Sequence, residues 1–174
     1  SSSEVTRWSA AARPPTGQRV TSLLLEGAGS GRAWVATAGT EGAVAVSPDG
    51  GASWAEVGLI DTAWDSIIDV AVSPAYEQDG TIFVITADTT HITWSLWRTT
   101  DGATTWRRLL ASPLAAVDSL DGVLLPPQYG GGGRAVFVAG QGGGSPALWR
   151  SADGGDSFTR YVAPLRVDAW AAAV

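Results

Sequence analysis

The stretch Ser47-Pro48-Asp49-Gly50-Gly51-Ala52-Ser53-Trp54 decides how the chain is read, because the sequence returns to it twice. It recurs as Thr99-Thr100-Asp101-Gly102-Ala103-Thr104-Thr105-Trp106 and as Ser151-Ala152-Asp153-Gly154-Gly155-Asp156-Ser157-Phe158, each step being 52 residues. Self-similarity at a period near fifty residues marks a repeat architecture. In every copy an Asp follows a strand-like run, Gly comes next, and a hydroxyl residue with an aromatic ring opens the following run. A carboxylate at the head of a turn accepts hydrogen bonds from backbone N–H groups two or three positions on, and Gly permits the positive φ that such a turn needs. Ser53, Thr105 and Ser157 are placed to bond back across the loop. Trp54, Trp106 and Phe158 are expected to point inward and bury on the order of 150–250 Å² each between neighbouring sheets.

Around the boxes the units align. An apolar strand comes first (Val20 to Glu26, Ile67 to Ser73, Leu120 to Leu125, and Val167 to Val174), then a second (33–37, 81–85, 135–139), a third running into the box (43–46, 95–98, 147–150) and a fourth leaving it (54–57, 106–109, 158–161). These are short β-branched and aromatic runs between Gly, Pro, Asp and Ser, and no window sustains a helical apolar period. Four strands per unit is the plan of a β-propeller blade. A β-sandwich has similar strand spacing but does not explain a motif at constant interval. The expected fold is therefore all-β: a propeller of four-stranded antiparallel blades, about three of them present with single flanking strands. Residues 1–19 are expected to hold the last strand of a preceding blade, since Val5-Thr6-Arg7-Trp8 matches Phe158-Thr159-Arg160-Tyr161. Blades then occupy 20–66, 67–116 and 117–166, with the first strand of a further blade at 167–174. The chain is expected to be a piece of something longer, its ring closed by further sequence, another copy or another subunit.

The three stretches resemble Asp-box, or bacterial neuraminidase, repeats, whose pattern is Ser/Thr-x-Asp-x-Gly-x-Ser/Thr-Trp/Phe. The first and third copies match throughout; the second has Ala103 in place of the second Gly. The resemblance implies that the box is structural, at the blade periphery and away from any active site. On that reading Ser47, Asp49, Gly51, Ser53, Trp54, Thr99, Asp101, Thr105, Trp106, Ser151, Asp153, Gly155, Ser157 and Phe158 fasten turns, and no residue is assigned as catalytic. Propellers of this kind include sialidases, xyloglucan-cleaving glycosidases, sortilin-type receptor domains and photosystem II assembly factors, so the resemblance implies a fold before a chemistry.

Composition narrows the chemistry. Seventeen acidic against 11 basic residues, a net charge of −6, argue against a phosphate-binding surface and hence against nucleic acid. With no Cys there is no thiolate metal site or thiol nucleophile. No run of about 18 apolar residues exists, so no transmembrane helix is expected in these residues. A sialidase would further resemble its family in an arginine triad, a tyrosine nucleophile with its glutamate, and an acid/base aspartate. Arg98 and Arg150 instead precede boxes on third strands, and Tyr76 with Glu77, adjacent on a strand, would face opposite sides. A glycosidase of the xyloglucanase type needs two carboxylates about 5–9.5 Å apart across a cleft. Asp61, Asp65, Asp69, Asp118 and Asp121 lead into first strands, and Trp64 and Trp170 at analogous places offer sugar-stacking platforms. Asp61, Trp64, Asp65, Asp118, Asp121 and Trp170 are thus the candidate binding-loop residues; solvated turns and core are the plainer alternative. No metal and no cofactor is called for: His91 stands alone, Glu77-x-Asp79 is too sparse for a calcium loop, and the runs Gly130 to Gly133 and Gly142 to Gly144 lack the Lys-Ser/Thr of a phosphate loop and read as flexible connections.

The preferred function is a noncatalytic binding or assembly scaffold with a protein partner. The rival is a secreted glycoside hydrolase or part of one, with carbohydrate as ligand, and a bacterial extracellular or cell-envelope location suits either.

Overall fold

The computed structural model describes residues 19–25, 31–38, 44–58, 65–112 and 116–164. Among them, strands form three four-stranded antiparallel sheets, each meandering in chain order. The first holds β1 (Arg19–Leu25), β2 (Ala33–Ala38), β3 (Val44–Ser47) and β4 (Ala55–Gly58). The second holds β5 (Ser66–Val72), β6 (Ile82–Asp88), β7 (Thr93–Thr99) and β8 (Arg107–Ala111). The third holds β9 (Ser119–Leu124), β10 (Val136–Gly142), β11 (Ser145–Ser151) and β12 (Thr159–Val162). The flanking strands expected at Val5 to Trp8 and at Val167 to Val174 lie outside the described residues, as do Asp61, Trp64 and Trp170.

The sheets pack face to face, and strand β6 shows why the sequence demands it. Its run Ile82-Phe83-Val84-Ile85 is buried throughout, so both faces of the sheet must be covered. Side chains alternate across a strand. Ile82 and Val84 join Trp34, Ala36 and Val44 of the first sheet, while Phe83 and Ile85 join Leu120, Val136 and Trp149 of the third. The first strands sit together at the inner edge: β5 touches β1 and β2, and β9 touches β5, β6 and β7. Each first strand is bulged at the same place, between Val20 and Ser22, between Ile67 and Asp69, and opposite Ala139/Gly140. At the last of these a Cβ on Gly140 would lie 2.1 Å from the Ser119 carbonyl oxygen, so only glycine lets β9 approach.

Three expectations are corrected. Trp54, Trp106 and Phe158, expected to point inward between sheets, are half-buried, with Trp106 and Phe158 packed against the two clusters from their margins. The fully buried rings are Trp34, Phe83 and Trp149, because second and third strands lie deeper between sheets than the residue that only opens a fourth. Tyr76–Asp79 is a single helical turn, α1, and not part of a strand. Gly80 closes it in the left-handed conformation, its N–H bonding the Tyr76 carbonyl. Finally, Asp69 lies within β5, not in the loop before it.

Candidate functional site

The eight-residue box is one hydrogen-bond network drawn three times. Its first hydroxyl, on Ser47, Thr99 or Ser151, is buried and donates to the Asp Oδ1 at 2.8, 2.7 and 2.7 Å. The same oxygen accepts the N–H of Gly51, Ala103 or Gly155 at 2.7, 3.0 and 2.7 Å. Asp49, Asp101 and Asp153 then accept the N–H of Ser53, Thr105 and Ser157 at 2.8, 2.9 and 2.9 Å, and the hydroxyls of those residues at 2.6 Å each. For Asp49 and Asp101 the carboxylate takes the N–H three residues on, as expected, and above all the N–H and hydroxyl four residues on. Two consecutive residues at positive φ, such as Gly50 at 70° and Gly51 at 91°, curl the loop back that far.

These bonds favour the ionised acid. The Ser53 hydroxyl above all brings Asp49 down to about 2, the Thr105 hydroxyl does the same for Asp101 to about 2, and Ser157 lowers Asp153 likewise. So held, each carboxylate fastens the two ends of its turn. Each box is also latched to the loop before its own second strand. The N–H groups of Gly50, Gly102 and Gly154 bond the carbonyls of Gly31, Gly80 and Arg134 at 2.6, 3.1 and 2.8 Å.

Between the second and third sheets lies a cleft of about 500 Å³. Its floor is Tyr129, buried and set edge-on against Phe83 with ring centroids 5.9 Å apart at 86°. The first and second sheets meet in the same way, Tyr76 against Trp34 at 4.6 Å and 75°, with Arg32 of the first sheet paired to Glu77. On one wall Arg98 donates to the Gly154 carbonyl and, at 2.9 Å, to Asp156, whose same oxygen takes Arg107 at 2.8 Å. The Arg98 bond holds Asp156 below the usual carboxylate range. Also from the second sheet's side, Asp79 spends one oxygen on the Ser73 hydroxyl at 2.7 Å and the other on the Thr81 N–H at 2.8 Å. Burial pushes the Tyr129 phenol up, so it stays protonated. Arg134 lines the cleft, is exposed, and makes no side-chain hydrogen bond or ion pair among the described residues. The glycine run expected to be flexible is a bonded turn. Gly131 and Gly133 both donate to the Gln128 carbonyl, at 3.1 and 2.9 Å, and Gly130 to Gly133 at 3.1 Å.

The candidate acids do not gather here. Asp65 and Asp118 precede the first strands of two different sheets, where each ties down the tip of its own sheet's central hairpin: Asp65 takes the Thr89 N–H at 3.0 Å, Asp118 the Gly144 N–H at 2.7 Å. Asp121, on β9, receives a long bond from Ser119 at 3.4 Å. His91 is exposed and pairs with Asp88. Tyr129 and Arg134 were not singled out from the sequence, although they bracket the glycine run. A tyrosine and an arginine flanking four glycines between two strands is the signal that a tight turn presents both side chains to one place.

No family model and no curated protein matches the sequence. Among solved structures, YCF48 bound to D1 peptide matches with a TM-score of 0.57 and 17% identity over 84% of this chain. The GH74 enzyme of Niastella koreensis matches at 0.56 and 19% over 80%, and the GH74 xyloglucanase from Xanthomonas campestris at 0.56 and 19% over 83%. This chain carries blades of a β-propeller. It spans less than half of each neighbour, 42%, 22% and 21% of their chains, and at such identities the likeness speaks of fold alone.

Proposed function

We propose that the chain is part of a noncatalytic Asp-box propeller that acts as a binding or assembly scaffold, and that the cleft between the second and third sheets receives a carboxylate-bearing segment of a protein partner. The observation that carries this reading is Arg134, an uncommitted guanidinium beside a protonated phenol and a turn of bare backbone, in a cleft whose acids are already engaged. A guanidinium fork recognises carboxylates with two parallel hydrogen bonds. Glycoside hydrolysis asks for the reverse, two facing carboxyl groups free to donate a proton and to attack or activate water. The neighbour bound to a peptide supports a polypeptide ligand. The two GH74 neighbours support the second reading, a secreted glycoside hydrolase or part of one acting on carbohydrate, through fold only. Further blades, from continuing sequence, another copy or another subunit, complete the ring in either case, and an extracellular or cell-envelope bacterial setting fits both.

The test titrates labelled acidic peptides, with free and with amidated carboxyl termini, into the chain and into Arg134→Ala, and incubates the chain with xyloglucan and a fluorogenic sialoside. Binding of the peptides is expected to weaken about tenfold on loss of the guanidinium, the scale of a hydrogen bond between charged groups. Sugar release that disappears in Asp79→Asn would establish the hydrolase instead.

A further inference from the structure

One row of residues on each of the first two sheets meets the sheet that follows. In the second sheet the row runs across the strands through Ala71, Phe83, Arg98 and Arg107, paired in register. It faces the third sheet: Tyr129 sits edge-on to Phe83, Arg98 holds Gly154 and Asp156, and Arg107 holds Asp156 as well. Phe83 is thereby fully buried and the Arg98 side chain is 11% exposed. In the third sheet the register puts Leu124, Phe137, Arg150 and Thr159 in the same row. Arg98 and Arg150 each precede the first box hydroxyl by one residue, and Phe83 and Phe137 are their cross-strand partners. Yet Phe137 is only half-buried, and Arg150 is exposed with no hydrogen bond or ion pair among the described residues.

We infer that the row Leu124, Phe137, Arg150 and Thr159 is the receiving half of one more contact between sheets. Its occupant is a four-stranded sheet of the third kind, with a loop tyrosine in the place of Tyr129 and a carboxylate at the sixth box position, where Asp156 stands. The chemistry selects among sheets of this repeat. Covering a guanidinium removes it from water and demands a counter-charge. A second copy of this chain offering its first sheet brings Ala52 at the sixth box position and no tyrosine among residues 26–32, so it would bury Arg150 unpaired and leave Phe137 without a ring. The second sheet brings a tyrosine, Tyr76, but Thr104 at the sixth position. Only the third kind supplies both groups, as it does for Phe83 and Arg98.

The test repeats one period in tandem, inserting a second copy of residues 112–163 after Ala163 and leaving the rest of the chain intact. The parent and the lengthened chain are melted alone and with Arg150→Ala or Phe137→Ala. The lengthened chain is expected to melt in a single transition at higher temperature than the parent. Arg150→Ala is expected to lower that transition by about 3–12 °C, the shift that the loss of one charged contact produces in a domain of this size, and to leave the parent unmoved; Phe137→Ala should separate the two chains further. Equal shifts in both chains, or a separate transition for the added copy, would overturn the inference. So would a parent dimer in sedimentation that Arg150→Ala dissociates, since the face would then belong to a second copy.

Discussion

Ala103 holds the left-handed conformation, φ 74°, where the other boxes use Gly51 and Gly155 at 91° and 98°. A Cβ in that region costs about 1–2 kcal/mol. The cost is offset here because the Ala103 methyl is buried, 6% exposed, which returns about 0.8 kcal/mol, and because alanine restricts the unfolded chain by about 0.4–1 kcal/mol relative to glycine. Ala103→Gly is therefore expected to change stability by less than about 0.5 kcal/mol in a urea melt, the terms nearly cancelling. The third box does not enjoy that cancellation. A Cβ on Gly155 would lie 2.8 Å from Leu109 Cδ1 and 3.2 Å from Phe83 Cε1, so overpacking adds to strain. Gly155→Ala should cost about 2–4 kcal/mol in the same melt. The box acids carry a pH signature as well. Asp49 and Asp101, near 2 in the folded chain against an ordinary 3.8, contribute stability that is present above pH 4 and lost as pH falls toward 2. Unfolding midpoints measured from pH 5 down to 2 should fall through that window. Asp101→Asn should flatten part of the slope.

Among elements, the aromatic seam between sheets bears the largest single contributions. Phe83 is fully buried and seats Tyr129, so Phe83→Ala should cost about 3–5 kcal/mol and loosen the third sheet from the second. Hydrogen exchange would register this as faster exchange in β9 and β10 than in β1 to β3. The strands themselves were legible because each unit restates the others: the interval of the boxes fixes the phase, and the runs around Ile82 and Val136 are short, β-branched or aromatic, and bounded by turn residues. Which ring would be deepest was not legible. Trp54, Trp106 and Phe158 look like core from size alone, but a residue that opens a fourth strand lies at the rim, and only the packing of three sheets reveals it. The helical turn at Tyr76–Asp79 escaped for another reason. A four-residue turn has no period to detect, and its cause is tertiary, Tyr76 docking on Trp34 while Glu77 reaches Arg32. Likewise the cleft depends on where Tyr129 and Arg134 meet Arg98, residues distant in sequence and brought together by sheet stacking.

Across the whole molecule, the three first strands are joined at one carboxylate. Asp69 of β5 accepts the Val123 N–H of β9 at 2.8 Å, the neighbouring Val70 N–H at 2.9 Å, and the Ser22 hydroxyl of β1. Desolvation raises its pKa despite these donors. The sign is opposite to that of the boxes: a raised folded value means stability present below the ordinary carboxylate range and lost as pH rises through the raised one. The chain should thus gain stability from pH 2 to 4 and then dip as Asp69 ionises, a dip that Asp69→Asn abolishes. An amide cannot accept from all three donors, so Asp69→Asn should also cost about 1–3 kcal/mol near neutrality, read as a lowered urea midpoint. The meander topology has its own outcome. Every strand pairs with its neighbour in sequence, so a sheet borrows nothing from chain not yet made. At a synthesis rate of about 5–20 residues per second, one 52-residue period leaves the ribosome in about 3–10 s, whereas a hairpin closes in about 1–10 μs. Each sheet can be finished while the next is still being translated, and the ring on the newest face, joined in the second sheet by the Arg98 guanidinium, is then a primer that orients the incoming sheet against the last one completed.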